Sequence, residues 1–242
     1  MRLAVIPARG GSKRIPRKNI RLFYGKPMIA WSISALLESK CFDRVVVSTD
    51  DEEIAEVAIS HGAEVPFVRP PELSDDYTST IAVIRHAIEW FYAQGSHPEQ
   101  VCCVYATAPF IRATDIQKGL TTLTNAGSDY AFSATTYPFP IQRAIRVHTN
   151  GQVEMFNPEN FNTRSQDLEL AYHDAAQFYW GQASAWVAGK PIFGMDSAAV
   201  LIPRFRVQDI DTIEDWEMAE YMFQVINPNK IIDHQINAGG CV

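Results

Sequence analysis

Short apolar runs alternate along this chain with longer segments in which apolar residues recur every three or four positions. Continuous apolar runs are typical of strands buried on both faces, and the wider spacing is typical of helices that pack on a sheet. The pattern predicts strands at residues 3–7, 44–48, 64–68, 101–105 and 130–135. It predicts helices at residues 27–39, 50–61, 80–92, 115–123 and 212–225. Because right-handed crossovers join strands that alternate with helices, we expect an α/β fold with a doubly wound, mostly parallel sheet.

Residues 138–191 interrupt this alternation with turns, aromatic residues and scattered polar side chains. Such a composition predicts a β-rich insertion that covers a site or packs on a partner. Residues 1–242 contain no linker or internal repeat, so we expect one domain. The tail from residue 227 fits neither periodic pattern.

Composition limits the class of protein. Hydrophobic residues make up 47% and charged residues 20%, which is typical of a globular chain. No apolar run approaches the roughly 20 residues that span a bilayer, and the amino terminus does not resemble a signal peptide. We therefore expect a cytoplasmic protein without a membrane partner. The four cysteines lack metal-ligand spacing, which predicts free thiols and no structural metal.

Charge is unevenly distributed along the chain. Eight basic residues precede the first acidic residue, Glu38, whereas the remainder carries 13 basic and 28 acidic residues. An acidic body repels a long polyanion, so nucleic acid is a poor partner. A local basic patch on that body suits a small, highly charged anion such as a nucleoside triphosphate.

The basic patch centres on the sequence ARGGSKRIPRKNI, residues 8–20, between the first predicted strand and the first predicted helix. Ligands of open α/β sheets bind at the carboxyl ends of strands, where this loop lies. Gly10 and Gly11 allow backbone N–H groups to face an anion, and the basic side chains can donate charge-assisted hydrogen bonds. The loop matches neither the Walker A nor the GxGxxG pattern. The alternative is a basic loop that is merely solvated.

An acidic pair lies near the other end of the chain, in FRVQDIDTIEDW, residues 205–216. If residues 207–211 are extended, Asp209 and Asp211 point to the same face, because side chains alternate along a strand. Two carboxylates placed in this way suit Mg²⁺, which retains waters and phosphate oxygens in its shell. Thr212 and Asp215 predict a capping box that begins a helix. Solvated loop acids or helix caps are the alternative reading of the pair.

The segments RGGSKRIPRKN and GKPMIAW, residues 9–19 and 25–31, resemble the amino-terminal signature of cytidylyltransferases that activate nine-carbon and related acidic sugars. That family includes CMP-sialic acid synthetases. The resemblance extends over roughly the first 226 residues and implies a nucleotide-diphospho-sugar transferase-like fold. It implies that the triphosphate of CTP is bound by Arg9, Gly10, Gly11, Ser12, Lys13, Lys18 and Asn19.

Two further segments support the same resemblance. VRPPELSDDYTST, residues 68–80, resembles the family's segment around the base and ribose, which implies that Arg69 and Thr80 contact the nucleotide. A helix cap is the alternative for Thr80, and a position on the rim is the alternative for Arg69. The sequence DIDT before a helix resembles the family's metal-binding segment and implies that Asp209 and Asp211 bind Mg²⁺.

The family's reaction assigns chemical roles to these residues. The anomeric hydroxyl of the sugar attacks the α-phosphorus of CTP, and pyrophosphate leaves. Lys13, Asp209 and Asp211 are the expected catalytic residues, because Lys13 and the Mg²⁺ held by the two aspartates would neutralise charge on the phosphates. No serine or histidine nucleophile is required.

The identity of the sugar depends on two other segments. VYATAP, residues 104–109, places Tyr105 where sialic acid synthetases have a glutamine, and AYHDAAQFYWG, residues 171–181, resembles the pseudaminic acid branch of the family. The resemblance predicts that Tyr105, Gln177 and Tyr179 contact the sugar. The aromatic side chains within the range 178–186 fit a core or a dimer interface equally well. The carboxylate of the sugar should meet a cation, for which the candidates are Arg143, Arg146 and Arg164.

Family members are generally homodimers in which the inserted segment reaches the neighbouring site, and we expect the same here. Three alternatives to CMP-pseudaminic acid synthesis remain open at this point. The same reaction could act on sialic, legionaminic or KDO-type acids. A glycosyltransferase can also combine an α/β fold with a DxD metal site, and a non-catalytic module could bind the nucleotide alone.

Overall fold

Ten strands and six α-helices form the part of the chain that the structure, a computed structural model, describes, residues 1–228. The strands are β1 (Arg2–Pro7), β2 (Leu22–Phe23), β3 (Lys26–Pro27), β4 (Arg44–Ser48), β5 (Gln100–Val104), β6 (Tyr130–Thr136), β7 (Ile145–Val147), β8 (Val153–Met155), β9 (Tyr172–Gln182) and β10 (Ser197–Leu201). The helices are α1 (Met28–Ser39), α2 (Glu52–Ser60), α3 (Thr80–Ala93), α4 (Ala113–Ala126), α5 (Ala183–Ala188) and α6 (Ile213–Ile226). Most of the ambiguous tail lies outside the described residues.

Six strands form the central sheet, in the order β10-β6-β9-β5-β1-β4. Strand β1 pairs in parallel with β4 and β5, and β10 pairs in parallel with β6. Strand β9 is antiparallel to both of its neighbours, β5 and β6. The predicted doubly wound, mostly parallel α/β fold is therefore confirmed.

Helices cover both faces of the sheet because the side chains of its strands are apolar on both sides. In β1, Ala4 and Ile6 belong to the buried cluster beneath α1, α2 and α4. Leu3 and Val5 belong to the opposite cluster, which also contains Ile84 and Ile88 of α3. Strand β1 is therefore an inner strand of the sheet, and the loop that follows it begins at the carboxyl end of that strand.

A third apolar cluster lies outside the sheet and joins distant parts of the sequence. It contains Ile15 from the basic loop, Phe110, Ile210 from the acidic segment, and Trp216 and Phe223 from α6. All five side chains are no more than 5% exposed. Packing in this cluster therefore brings the basic loop and the acidic segment together.

Two predictions about the sheet need correction. Residues 64–68 form only two isolated bridges, Val46 with Glu64 and Thr49 with Val68, because this segment touches the edge of β4 at two points without running alongside it. The predicted insertion over 138–191 is also too long, since Tyr172–Gln182 is an inner strand of the central sheet. Residues 138–171 lie outside the central sheet and contain the small hairpin of β7 and β8, and residues 183–191, which include α5, lie outside it as well. Strand β10 was not predicted.

Two further findings concern membrane crossing and the cysteines. Among residues 1–228, none of the helices combines the length and the apolarity that a membrane crossing requires. Cys41, Cys102 and Cys103 are buried free thiols.

Candidate active site

A cavity of about 570 Å³ opens at the carboxyl ends of β1 and β5. This is the crevice in which ligands of doubly wound sheets bind. Its lining includes Arg9, Ser12, Lys13, Arg14, Lys18, Asn19, Arg69, Asp76, Thr80, Tyr105 and Asp211. Residues from the basic loop, from the segment before α3 and from the acidic segment therefore meet around one cavity. The predicted site residues that do not line it are Gly10, Gly11, Asp209, Arg143, Arg164, Gln177 and Tyr179.

The basic loop is held in shape by side chains near the start of α2. The Asp50 carboxylate accepts a hydrogen bond from the N–H of Gly10 at 3.0 Å. Asp51 accepts two hydrogen bonds from Arg17, at 2.6 and 3.0 Å, and also caps α2 through the N–H of Ile54. Hydrogen bonds from Arg17 hold the pKa of Asp51 below its ordinary value. Asn19 completes the loop by donating to the Arg9 carbonyl at 3.0 Å.

Gly10 is required by the close approach of Asp51. A Cβ at this position would lie 2.6 Å from Oδ2 of Asp51, whereas a Cβ at Gly11 would meet nothing within 4 Å. Asp51 cannot move aside without losing Arg17 and the cap of α2. We expect Gly10→Ala to destabilise the protein by about 1–3 kcal/mol, which lowers Tm by about 3–10 °C in a thermal unfolding experiment. Gly11→Ala is the matched control, and an equal loss of Tm in both variants would contradict this explanation.

Two cations of the basic loop share one carboxylate, that of Asp76. Arg9 Nη1 lies 2.5 Å from it, and Lys13 also forms an ion pair with it. Hydrogen bonds from Lys13 and then from Arg9 lower the pKa of Asp76. The Lys13 side chain is 78% exposed, so it is free to move. An anionic ligand in the cavity would therefore compete with Asp76 for Arg9 and Lys13.

Arg69 contributes a buried guanidinium to the cavity wall. It is 3% exposed, and its Nε and Nη2 atoms have no hydrogen-bond partner within the described part of the chain. The nearest carboxylate oxygen, on Asp50, lies 3.6 Å from Nη2. Burial lowers the pKa of Arg69, and the charge of Asp50 opposes that shift. A buried group with unsatisfied donors is costly, so this wall suits a ligand that is rich in acceptors.

The acidic segment is tied directly to the basic loop. Asp211 forms ion pairs with Arg14 at 2.8 Å and with Lys18 at 3.2 Å. Lys18 also donates to the Ile210 carbonyl at 2.5 Å, and its side chain is only 18% exposed. The predicted capping box of Thr212 and Asp215 is confirmed, and it fixes the start of α6 beside this pair. Residues 207–211 are not part of a strand.

Asp209 lies next to Asp211 but not in the lining of the cavity. The pKa of Asp209 is raised, first because the surrounding protein excludes water and then because the negative charge of Asp211 is close. Two neighbouring carboxylates that repel each other provide the hard oxygen ligands that Mg²⁺ prefers, and a divalent cation would relieve their repulsion. The donor set therefore fits the predicted metal.

The predicted sugar residues of β9 do not reach the cavity. Gln177 is 3% exposed, and its amide donates to the Arg206 carbonyl at 2.6 Å. Phe178, Trp180 and Trp186 are fully buried core residues. Tyr179 is buried and touches Tyr105, which does line the cavity. Gln177 therefore lies behind the cavity lining, and its contact with a sugar stays a prediction.

The candidate cations for the sugar carboxylate lie on the outer segment, residues 138–171, and not in the lining of this cavity. Arg164 pairs with Asp167 at 2.6 Å and Arg146 pairs with Glu154 at 2.6 Å. Arg143 donates to the carbonyl of Thr163, a neutral acceptor. Within one protomer none of the three arginines borders the cavity.

Sequence reasoning missed two residues that shape the site. Asp50 and Asp76 each contact a predicted site residue, although neither was selected from the sequence. Asp50 follows a predicted strand directly, which is the position of a ligand-facing residue in an α/β sheet. No local signal marked Asp76, since its partners are 63 and 67 positions away.

Comparison with known proteins agrees with the fold and the cavity. The sequence matches the cytidylyltransferase family over residues 3–193, and the chain belongs to that family. The protein is therefore a nucleotidyltransferase, as the sequence resemblance implied, and the glycosyltransferase alternative is set aside.

Individual relatives and one solved structure show which members of the family this chain is similar to. The pseudaminic acid cytidylyltransferase of Campylobacter jejuni subsp. jejuni serotype O:2 is 48% identical over 223 residues, which cover 92% of this chain and 96% of that protein. The CMP-N,N'-diacetyllegionaminic acid synthase of Legionella pneumophila is 31% identical, with 92% and 96% covered. The structure of CMP:2-keto-3-deoxy-manno-octonic acid synthetase complexed with CTP has a TM-score of 0.67 and 17% identity, and the match covers 93% of this chain and 99% of that one. At this identity the structural likeness confirms the fold alone.

Proposed function

We propose that this enzyme joins CMP from CTP to pseudaminic acid and releases pyrophosphate. The observation that carries the reaction is the meeting of the basic loop and Asp211 around one cavity. The choice of sugar is supported by the 48% identity to a pseudaminic acid cytidylyltransferase over nearly the whole chain. CTP is then the nucleotide and an acidic nine-carbon sugar is the acceptor.

The basic loop would bind the triphosphate. Lys13 and Arg9 exchange Asp76 for phosphate oxygens, and the N–H of Gly11 adds a neutral donor, since the N–H of Gly10 is held by Asp50. As pyrophosphate leaves, these groups absorb its growing negative charge. Arg69 offers its unpaired donors to the acceptor atoms of the cytidine, and Thr80 lies in the same wall. Ser12, Lys18 and Asn19 complete the lining of the loop.

Asp209 and Asp211 are the proposed ligands of Mg²⁺. The bound metal would neutralise charge at the α-phosphate and lower the pKa of the attacking hydroxyl. Arg14 and Lys18 hold the Asp211 carboxylate at the cavity wall. Their ion pairs keep the carboxylate oriented before substrates arrive.

We also propose a homodimer in which the outer segment, residues 138–171, approaches the neighbouring protomer. This segment exposes several large apolar side chains, including Phe139 at 80% and Phe161 at 70%. Exposed apolar groups of this size are typical of protein interfaces.

The cytoplasm, where thiols stay reduced, suits the three described free cysteines.

Arg143 is the favoured cation for the sugar carboxylate. Arg146 and Arg164 already have carboxylate partners, whereas the only described partner of the Arg143 guanidinium is a carbonyl oxygen. We expect Arg143→Ala to raise the KM for the sugar about tenfold and to leave the KM for CTP unchanged, because one charge-assisted hydrogen bond is lost. Arg146→Ala is the matched control in steady-state kinetics. An equal rise in both variants would contradict the assignment.

The proposed function is tested by pyrophosphate release from CTP and Mg²⁺ with a panel of nonulosonic acids. Turnover with pseudaminic acid, and little with sialic, legionaminic or KDO-type acids, is the expected result. Turnover with sialic acid alone would overturn the choice of sugar. CTP binding without pyrophosphate release on any acid would favour the non-catalytic module.

A further inference from the structure

Residues 207–211, which carry Asp209 and Asp211, depend on both of their ends for their position. They form no strand, so no sheet hydrogen bonds fix their course. At the far end, the capping box fixes the start of α6. At the near end lies Arg206, the last residue of one turn of 3₁₀-helix, Arg204–Arg206. The path by which the chain enters the two aspartates is therefore set at Arg206.

The side chain of Arg206 forms a largely buried ion pair with Asp115 in the first turn of α4. The two side chains are 7% and 13% exposed, and neither is among the described residues that line the cavity. Nη1 of Arg206 donates to Oδ2 of Asp115 at 2.5 Å, and Nη2 donates to Oδ1 at 3.2 Å. Two hydrogen bonds from one planar guanidinium fix both the distance and the orientation of the groups. The pair therefore fastens the chain before residue 207 to α4 in one geometry.

The backbone of Arg206 is held as well. Its carbonyl accepts a hydrogen bond from the buried side chain of Gln177 at 2.6 Å, and its N–H donates to the Pro203 carbonyl at 2.9 Å. Arg206 is thus joined to α4 through its side chain and to the inner strand β9 through its carbonyl. Asp209 follows only three positions later. A shift at Arg206 would therefore reach the Asp209 carboxylate, because little chain lies between them to absorb it.

The energetics of a buried ion pair favour orientation over stability as its main effect. Two charges lose their hydration on burial, and replacement of such a pair by apolar side chains of similar volume is often neutral or stabilising. An apolar contact has no preferred direction, whereas the guanidinium and the carboxylate fit in one arrangement. The two charges also cancel, so replacing both residues leaves the net charge near the aspartates unchanged.

We propose that the ion pair of Arg206 and Asp115 positions the carboxylates of Asp209 and Asp211 and so controls the affinity of this site for a divalent cation. Both members are positioning residues, since they act through the backbone of residues 207–211. Removal of groups that orient metal ligands from behind typically lowers metal affinity or activity by about 10- to 100-fold. We expect the lower end of that range, because the pair does not bond to a ligand directly. This inference rests on the proposed function, in which the two aspartates bind the metal.

The test replaces both members of the pair in one double variant, Arg206→Met with Asp115→Leu. No unpaired charge is left behind, so Tm should stay within about 4 °C of the wild-type value. The dissociation constant for Mn²⁺, which takes the same oxygen ligands, is measured by electron paramagnetic resonance without substrates. We expect it to rise about tenfold, and the Mg²⁺ concentration for half-maximal pyrophosphate release to rise with it. The Kd for CTP without metal should stay unchanged.

Two further variants make the experiment specific. Arg206→Lys keeps the charge and loses the two-pronged geometry, so it should weaken Mn²⁺ binding about three- to tenfold even if the double variant does not fold. Arg44→Met with Glu64→Leu is the matched control. That pair also has two hydrogen bonds from one guanidinium, and it does not border the cavity. The control should leave the Mn²⁺ affinity unchanged.

A wild-type Mn²⁺ affinity in the folded double variant, or in Arg206→Lys, would overturn the inference. An equal loss of affinity in the control pair would overturn it too, as would a rise in the Kd for CTP without a change in Mn²⁺ binding. The wild-type enzyme and Asp211→Asn are measured first. If they bind Mn²⁺ equally, the proposed metal role of Asp211 fails. If Mn²⁺ binding depends on Asp211 but not on the ion pair, only the present inference fails.

Discussion

Replacing Asp211 by asparagine should lower kcat by about three orders of magnitude or more. The substitution keeps the shape of the side chain and removes its charge, so a proposed Mg²⁺ ligand is lost where the α-phosphate would bind. Metal neutralisation of a phosphoryl transition state contributes several kcal/mol, and about 4 kcal/mol corresponds to a thousandfold in rate. Arg14 and Lys18 would also lose their carboxylate partner. The measurement is kcat for pyrophosphate release at saturating CTP and sugar, over a range of Mg²⁺ concentrations.

Asp129→Asn is the matched control for this experiment. Asp129 forms an ion pair with Lys190 at 2.6 Å and does not line the cavity. A partly exposed pair of this kind contributes about 0–1 kcal/mol to stability, so the control should keep its activity and its Tm. If Asp211→Asn kept more than about one tenth of the wild-type kcat, the proposed metal role would be excluded, because loss of a catalytic metal lowers the rate far more than that.

Replacing Lys13 by alanine should lower kcat/KM for CTP by about a hundredfold. Lys13 is mostly exposed and paired with Asp76, so its removal leaves the fold intact. Loss of one preorganised donor to a developing oxyanion typically costs about 10²–10³ in rate. Most of the loss should fall on kcat, because charge accumulates on pyrophosphate in the transition state, and the KM for the sugar should stay the same.

Two comparisons make the Lys13 experiment specific. Lys118→Ala removes an exposed lysine of α4 that is not part of the cavity lining, and it should leave all constants unchanged. Lys13→Arg retains the charge and should recover part of the activity. If Lys13→Ala raised only the KM for CTP, then Lys13 would contribute ground-state binding and no stabilisation of the leaving group.

Most regular elements could be predicted from the sequence, because local spacing determines them. The apolar run of β1, the three-to-four spacing of α1 and α3, and the capping box at Thr212 are all features of a few neighbouring residues. The basic loop could be predicted for the same reason, since its glycines and cations are consecutive. The strand predicted at residues 64–68 was wrong, because a short apolar stretch does not reveal whether a partner strand runs beside it.

The position of β9 required the tertiary structure. Its aromatic residues are adjacent to a turn-rich segment, so their pattern matched an insertion as well as a strand. They form an inner strand because β5 and β6 leave a gap between them and β9 satisfies the hydrogen bonds of both. The same pairing directs Gln177 and Trp180 into the core, and it leaves Asp174 and Tyr179 beside the cavity wall.

By itself the sequence determined the α/β alternation, the basic and glycine-containing character of the first loop and the membership of a family. Only the tertiary structure decided that Asp211 meets Lys18 and that Asp76 pairs with Lys13 and Arg9. The physical reason is the range of the interactions. Helix and strand patterns arise from neighbours along the chain, whereas the ion pairs of the site join residues that only the packing of three apolar clusters brings together.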